Sequence, residues 1–186
     1  MNIFATKIHK VIFLFFFMLL PTLTWAAQRE FSLTIDEVSI EVAPGFTNKV
    51  FAFNGQVPGP LIHVKEGDDV TVHVTNNTSL PHTIHWHGIN QIGTWHMDGV
   101  PDVTQEAIQP GESFVYKFNV DRPGSLWYHC HVDVWEHVAI RGMWGPLIVD
   151  PKTPSALEKK VTKDAILMLS TWESAYANEY GKGGTP

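Results

Sequence analysis

The chain has a single cysteine, Cys130, among 186 residues. A lone thiol excludes an internal disulfide framework and any zinc ribbon built on paired CxxC motifs. Positive charge is also scarce, with 13 Lys and Arg against 19 Asp and Glu and a formal net charge of -6. That balance offers no basic footprint for a phosphate backbone and argues against nucleic acid as a partner. Long apolar runs are missing too: the longest, residues 11–20, has ten residues, where a helical bilayer span needs about 20. With 17% charged and 44% hydrophobic residues the chain is a packed globular protein rather than a disordered one. What it holds in excess is histidine, ten residues beside the one Cys.

The run at 11–20 suits the h-region of a signal peptide. Lys7 and Lys10 form a basic n-region, Pro21 and Thr22 end the run, and Thr24-Trp25-Ala26 supplies small residues for cleavage after Ala26, with Ala27 as the alternative. An uncleaved N-terminal anchor is the competing reading, and the shortness of the run counts against it. Residues 1–26 are therefore expected to be removed and the protein exported, periplasmic or secreted, with no membrane segment left. Losing two Lys makes the mature chain more acidic still. In an oxidising compartment Cys130 is then a buried hydrophobe, an intermolecular link or a metal ligand, and composition does not choose among them.

Short alternating segments fill the middle of the chain. Val38-Ser39-Ile40-Glu41-Val42, Val70-Thr71-Val72-His73-Val74 and Phe114-Val115-Tyr116-Lys117-Phe118 each read as half-buried strands. Turn residues separate them: Asn54-Gly55, Glu66-Gly67-Asp68, Asn76-Asn77, Pro110-Gly111 and Arg122-Pro123-Gly124. No long helical period occurs between Gln28 and Asp150. The pattern predicts an all-β fold, an antiparallel sandwich or barrel. After the strand Leu147-Ile148-Val149, residues 155–163 read as a linker with one helical turn, and residues 165–169 as an opening strand. The Gly-rich end at 181–186 has a loop composition.

Four groups carry the chemistry: His82-Thr83-Ile84-His85-Trp86-His87, His129-Cys130-His131, His137 and Met143. Thiolate, imidazole and thioether together are the donors of a blue-copper site, and structural zinc sites do not use Met. Strand alternation adds a constraint. Cys130 must face one way while His129 and His131 face the other, and His85 and His87 share a face with Trp86 opposite. Three ligands of one metal would not be arranged so. Two sites on opposite sides of one strand would be, with His82, His137 and Met143 on the Cys130 side and four imidazoles on the other.

These residues resemble the N-terminal cupredoxin domain of a multicopper oxidase, the family of laccases and ascorbate oxidase. The resemblance runs from about Phe53 to Asp150 and rests on Phe53-Asn54-Gly55-Gln56-Val57-Pro58-Gly59-Pro60, His85-Trp86-His87-Gly88, Met97-Asp98-Gly99-Val100-Pro101, Pro110-Gly111 and Trp127-Tyr128-His129-Cys130-His131. It implies a cupredoxin-like Greek-key β-sandwich or barrel over residues 27–152, with 153–186 a linker and the start of a second cupredoxin domain. It further implies that His82, Cys130 and His137 hold a type 1 copper with Met143 axial. His85 would bind the type 2 copper, and His87, His129 and His131 the type 3 pair, which together are half of a trinuclear cluster. Asp98 falls where the family places an acid that assists proton delivery. Trp86, Trp95, Trp127, Trp135 and Trp144 are expected to wall the copper sites, and His63, His73 and His96 to be incidental surface residues.

Two departures qualify the match. Three-domain laccases carry His-Ser-His at the triplet in their first domain, so Cys130 points to two-domain oxidases with the blue copper in domain 1. The family's His and Met usually follow the Cys by five and ten residues, but positions 135 and 140 are Trp and Ile, so the ligand loop is two residues longer before His137. The expected activity is a laccase-like oxidation of a small one-electron donor, a phenol or a metal ion, coupled to reduction of O2 to water. A second domain or subunit would complete the cluster, and homotrimers are what the resemblance implies. The rival reading is a stand-alone cupredoxin that carries electrons or binds copper without oxidase activity.

Overall fold

The computed structural model describes residues 26–172. All but Ala26 of the expected signal peptide, and the Gly-rich end at 181–186, lie outside the described residues. Eight strands form the body: β1 (Gln28–Ala43), β2 (Phe46–Phe53), β3 (Ile62–Lys65), β4 (Asp69–Asn76), β5 (His85–His87), β6 (Ser113–Asn119), β7 (Gly124–His129) and β8 (Trp144–Asp150). They make two four-stranded sheets, ordered β2-β1-β4-β6 and β3-β8-β7-β5.

The alternation read from sequence decides which side chains enter the sandwich. Along β4, Val70, Val72 and Val74 are buried while His73 is exposed, and along β6 Tyr116 and Phe118 turn inward. Facing them from the second sheet are Ile62, Val64, Trp86, Tyr128, Leu147 and Val149. An all-antiparallel arrangement is not what forms. β1 pairs with β4 in parallel, as β3 does with β8. The connections between sheets bring strands distant in sequence side by side without helical crossovers, so direction is set by the return path rather than by hairpins.

The expected linker contains one 3-10 turn, Glu158–Lys160. The apolar run at 165–169 is not a strand. Met168 packs against the core while Leu167 and Leu169 are 80% and 92% exposed. An apolar run becomes a strand only by hydrogen bonding to a neighbour, and none of the described strands pairs with it.

β5 has three residues, yet it is firmly seated, because Trp86 is fully buried and packs on Tyr116 and Phe118 of the opposite sheet at ring distances of 5.2 and 4.8 Å. The Tyr116 hydroxyl also accepts the Ile84 N–H at 2.8 Å. The strand carrying His85 and His87 is thus anchored by the residue between them. Trp86→Ala is expected to destabilise the chain by about 3–5 kcal/mol, a loss that urea denaturation followed by Trp and Tyr fluorescence would measure.

Candidate metal centre

Register puts the imidazoles opposite one another. In the antiparallel β5–β7 ladder His85 faces His129 and His87 faces Trp127, while Trp86 pairs with Tyr128 on the core side. His85, His87 and His129 each bring a ring nitrogen within 4.8 Å of the others. His131 joins the edge of this group, its ring centre 5.3 Å from that of His85 and 5.9 Å from that of His129. Trp127 stacks on His129 at 4.2 Å and on His87 at 5.0 Å.

The other side of Cys130 is dry. Its Sγ lies 3.5 Å from His82 Nδ1 and 3.3 Å from His137 Nδ1, and all three residues are buried. Met143 is fully buried and brackets the site through its backbone. Its carbonyl accepts the Cys130 N–H at 3.2 Å, and its N–H donates to the His137 carbonyl at 2.9 Å. His137 arrives on a single π-turn, Val134–Ile140, whose start is capped by the Asp133 carboxylate accepting the Glu136 N–H.

Hydrogen bonds fix which nitrogen of several rings is free. A backbone carbonyl only accepts, so His85 must donate Nδ1–H to Asp98 O at 2.7 Å and His129 must donate Nδ1–H to Cys130 O at 2.7 Å. Both rings then leave Nε2 unprotonated, and that of His129 lies 3.4 Å from His87 Nδ1. Thr78 does the same for His82. Its hydroxyl lies 2.8 Å from His82 Nε2 and 2.8 Å from Asn76 Oδ1. Donating to Asn76 and accepting from His82 Nε2–H, it leaves the His82 Nδ1 lone pair aimed at Cys130. Asn76 in turn donates to the carbonyls of Leu80 and Ile108 at 2.8 and 2.9 Å, tying the 76–82 loop down.

Burial favours the neutral form of His82, His87, His129 and His137. Burial pushes His82 down to about 3, helped by His137 and Arg141, and burial pushes His129 down to about 4. His137 is lowered by burial, and His87 by burial and then by its neighbours His85 and His131. Burial raises the Cys130 thiol to about 11. A buried thiol, two neutral imidazoles and a nearby thioether residue, with no carboxylate among them, are suited to a soft transition-metal ion that displaces the thiol proton. The donor set fits copper.

The chain matches the multicopper oxidase family over residues 34–154. It belongs to that family. Among solved structures it is 71% identical to the multicopper oxidase mgLAC, with a TM-score of 0.81 over 86% of this chain and 50% of the other. It is 62% identical to the blue copper oxidase of Nitrosomonas europaea, with a TM-score of 0.80 and the same shares, 86% and 50%. Laccase-1 of Cryptococcus neoformans var. grubii is 37% identical over 146 residues, 77% of this chain and 23% of the laccase. The chain thus spans half of those two structures and about a quarter of the curated relatives it matches. Multicopper oxidases use copper, and their sandwich of two sheets is the one described above.

Several sequence expectations about surroundings need revision. Trp127 lines the imidazole group, whereas Trp95 and Trp135 are 64% and 52% exposed. Trp86 is a core residue behind β5 rather than a wall. His63 and His73 are surface residues paired with Asp150 and Glu30, and His96 is exposed. Asp98 is placed beside His85, one carboxylate oxygen 3.4 Å from Nδ1. Residues not singled out from sequence also shape the site. Asn76 reads only as a turn residue, and Thr78 carries no signal of its own in the sequence. Gly99, at φ +78°, lets Asp98 O reach His85, and a Cβ there would collide with the Ile84 carbonyl.

The metal-free chain offers two tests. Thr78→Val removes the hydroxyl that links Asn76 to His82 and is expected to cost about 1–3 kcal/mol in a urea titration. The pH profile has a definite sign. His82 and His129 sit at about 3 and about 4 against an ordinary 6.5, so the unfolded chain takes up protons that the folded chain refuses. Stability is complete above about pH 6.5 and falls as pH drops toward about 4, by up to about 1.4 kcal/mol per pH unit for each such ring. The Cys130 thiol, raised from 9.0 to about 11, lowers stability again above about pH 9. Urea midpoints of the metal-free chain across this range check both limbs; an unchanged midpoint between about pH 7 and 5 contradicts the acid limb.

Proposed function

We propose that this chain is the blue-copper-bearing first domain of an exported, laccase-like multicopper oxidase, folded over 27–152 and followed from 153 by a linker into a second cupredoxin domain. His82, Cys130, His137 and Met143 would hold copper on one side, and His85, His87, His129 and His131 would form half of a trinuclear site on the other. One observation carries the reading. Cys130 touches both groups: its sulfur faces His82 and His137, and its carbonyl accepts the His129 Nδ1–H at 2.7 Å. Copper bound in these sites supplies one-electron redox chemistry at the thiolate side and reduction of O2 to water at the imidazole side.

The protein's own residues do the rest. Cys130 connects the two donor groups covalently through the next peptide unit and again through the hydrogen bond from His129, a short bonded route between them. Buried Phe51, whose ring meets His82 and His137 edge-on, keeps water from the thiol side. Asp98, partly exposed next to His85, is placed to hold and pass a proton at its carboxylate. His85 and His131 are half-buried and His87 is exposed, which leaves the imidazole face accessible to a second domain or subunit. A small phenol or metal ion gives up its electron on the His137 side, and the assembly is a homotrimer, periplasmic or secreted.

The copper-loaded chain is expected to be intensely blue from thiolate-to-copper charge transfer, and Cys130→Ser to be colourless. Joined to a second four-histidine cupredoxin domain, it is expected to consume O2 with a phenolic donor and to lose at least about a hundredfold of that rate in His129→Ala. A blue chain that never consumes O2 in that setting supports the electron-carrier reading instead.

A further inference from the structure

The ligand residues leave Arg141 unexplained. Its side chain is only 7% exposed, at the end of the π-turn that carries His137. Burying a guanidinium is costly unless it is fully paired, and this one is paired in part. Nη2 meets Glu37 on β1 at 2.6 Å, Nη1 stands 3.9 Å from Glu136, and Nε has no hydrogen-bond partner among the described residues. Both carboxylates are wetter than the cation, at 30% and 26% exposure, and Glu37 is shared with Lys49. Solvent therefore screens the anions more than the guanidinium.

The cation is aimed at one ring. The guanidinium carbon lies 3.7 Å over the centre of Phe51, and Phe51 meets His82 at 4.9 Å and His137 at 5.0 Å, edge-on in both cases. Backbone bonds hold the stack, since the Phe51 N–H donates to the Arg141 carbonyl at 3.0 Å and the Arg141 N–H to the Glu136 carbonyl at 2.9 Å. The buried ring of Phe51 thus touches the charge on one side and the two imidazoles facing Cys130 on the other. Across so apolar a spacer the charge is felt far more than it would be through water.

We infer that Arg141, acting across Phe51, raises the reduction potential of copper held by His82, Cys130 and His137. The inference rests on the ligand set proposed above. The cuprous site carries one positive charge less than the cupric site, so a nearby buried cation disfavours the oxidised state more than the reduced one. Glu37 acts in the opposite sense by partly neutralising that cation. Arg141 touches no ligand atom and is a positioning residue for charge rather than a catalytic one.

The copper-loaded full chain, titrated with redox mediators while the blue absorption is followed, tests this. Arg141→Met is expected to reduce the Cu(I) to Cu(II) ratio at fixed potential about tenfold, a drop of about 59 mV for a one-electron couple. Glu37→Gln is expected to shift it upward, and Arg141→Lys, which keeps the charge, to stay within about threefold of the parent. A purely structural role would move both charge-removing variants in the same direction or neither, and either result overturns the inference. Should Arg141→Met not fold, an upward shift in Glu37→Gln still supports it and an unmoved potential overturns it. A parent chain that binds copper without turning blue rejects the ligand set itself, whereas a blue parent with unmoved variants rejects only the role of Arg141.

Discussion

The peptide unit between His129 and Cys130 organises this molecule's chemistry. Where β7 ends, side chains still alternate, so the His129 ring stays on the outer face beside His85 while the Cys130 sulfur turns into the sandwich. Everything near the candidate centre is arranged around that reversal. β5 is registered so that His85 lies opposite His129, and Met143 ties Cys130 to His137 by accepting the Cys130 N–H and donating its own N–H to the His137 carbonyl. A one-residue slip of β7 would exchange the two faces and dismantle both donor groups together. The buried Trp86–Tyr128 pair on the core side of the same ladder makes such a slip costly.

Holding unprotonated imidazoles in an apolar interior asks for polar groups that are themselves satisfied. The chain meets this with carbonyls and hydroxyls rather than carboxylates on the Cys130 side. The Asn76 side chain makes four hydrogen bonds with Leu80, Ile108 and Thr78, and the Thr78 hydroxyl accepts one from His82. These partners carry no charge of their own, and burial keeps the thiol protonated and the His82 ring neutral in the metal-free fold. The outer face obeys another rule. There the rings crowd one another, and their mutual repulsion when protonated adds to burial in depressing His129 and His87.

Much of this was legible in the residues. Alternation in Val70–Val74 and Phe114–Phe118 located strands and their inward faces, and the parity of His129-Cys130-His131 separated two donor groups without reference to any fold. Pairing was not legible. Period-2 patterns are blind to which strand lies alongside, so the parallel β1–β4 and β3–β8 ladders and the unpaired run at 165–169 could not be read. Thr78 and Asn76 were hidden for another reason. A Ser, Thr or Asn in a turn is ordinarily there for its own backbone, and only the fold reveals that this hydroxyl reaches a histidine four residues on. Trp95 and Trp135 misled because large aromatics near ligand motifs suggest walls, yet their turns carry them to the surface.

The seven-residue spacing from Cys130 to His137 shows how extra length can leave a site intact. Two more residues than the usual family loop would be enough to carry the histidine away from the sulfur, yet Nδ1 stands 3.3 Å from Sγ. The π-turn explains this. With i to i+5 bonding it takes up residues by widening rather than lengthening, and Trp135 on this turn is 52% exposed while His137 remains buried. The same widening dictates how the turn ends. It must close on a residue whose N–H can reach back to Glu136 and Val138, and that residue is Arg141. Its side chain is thereby delivered onto Phe51, between β1 and the two buried imidazoles. The longer loop and the buried cation are thus one structural event: the turn that keeps His137 in place is also what puts a positive charge one ring behind it.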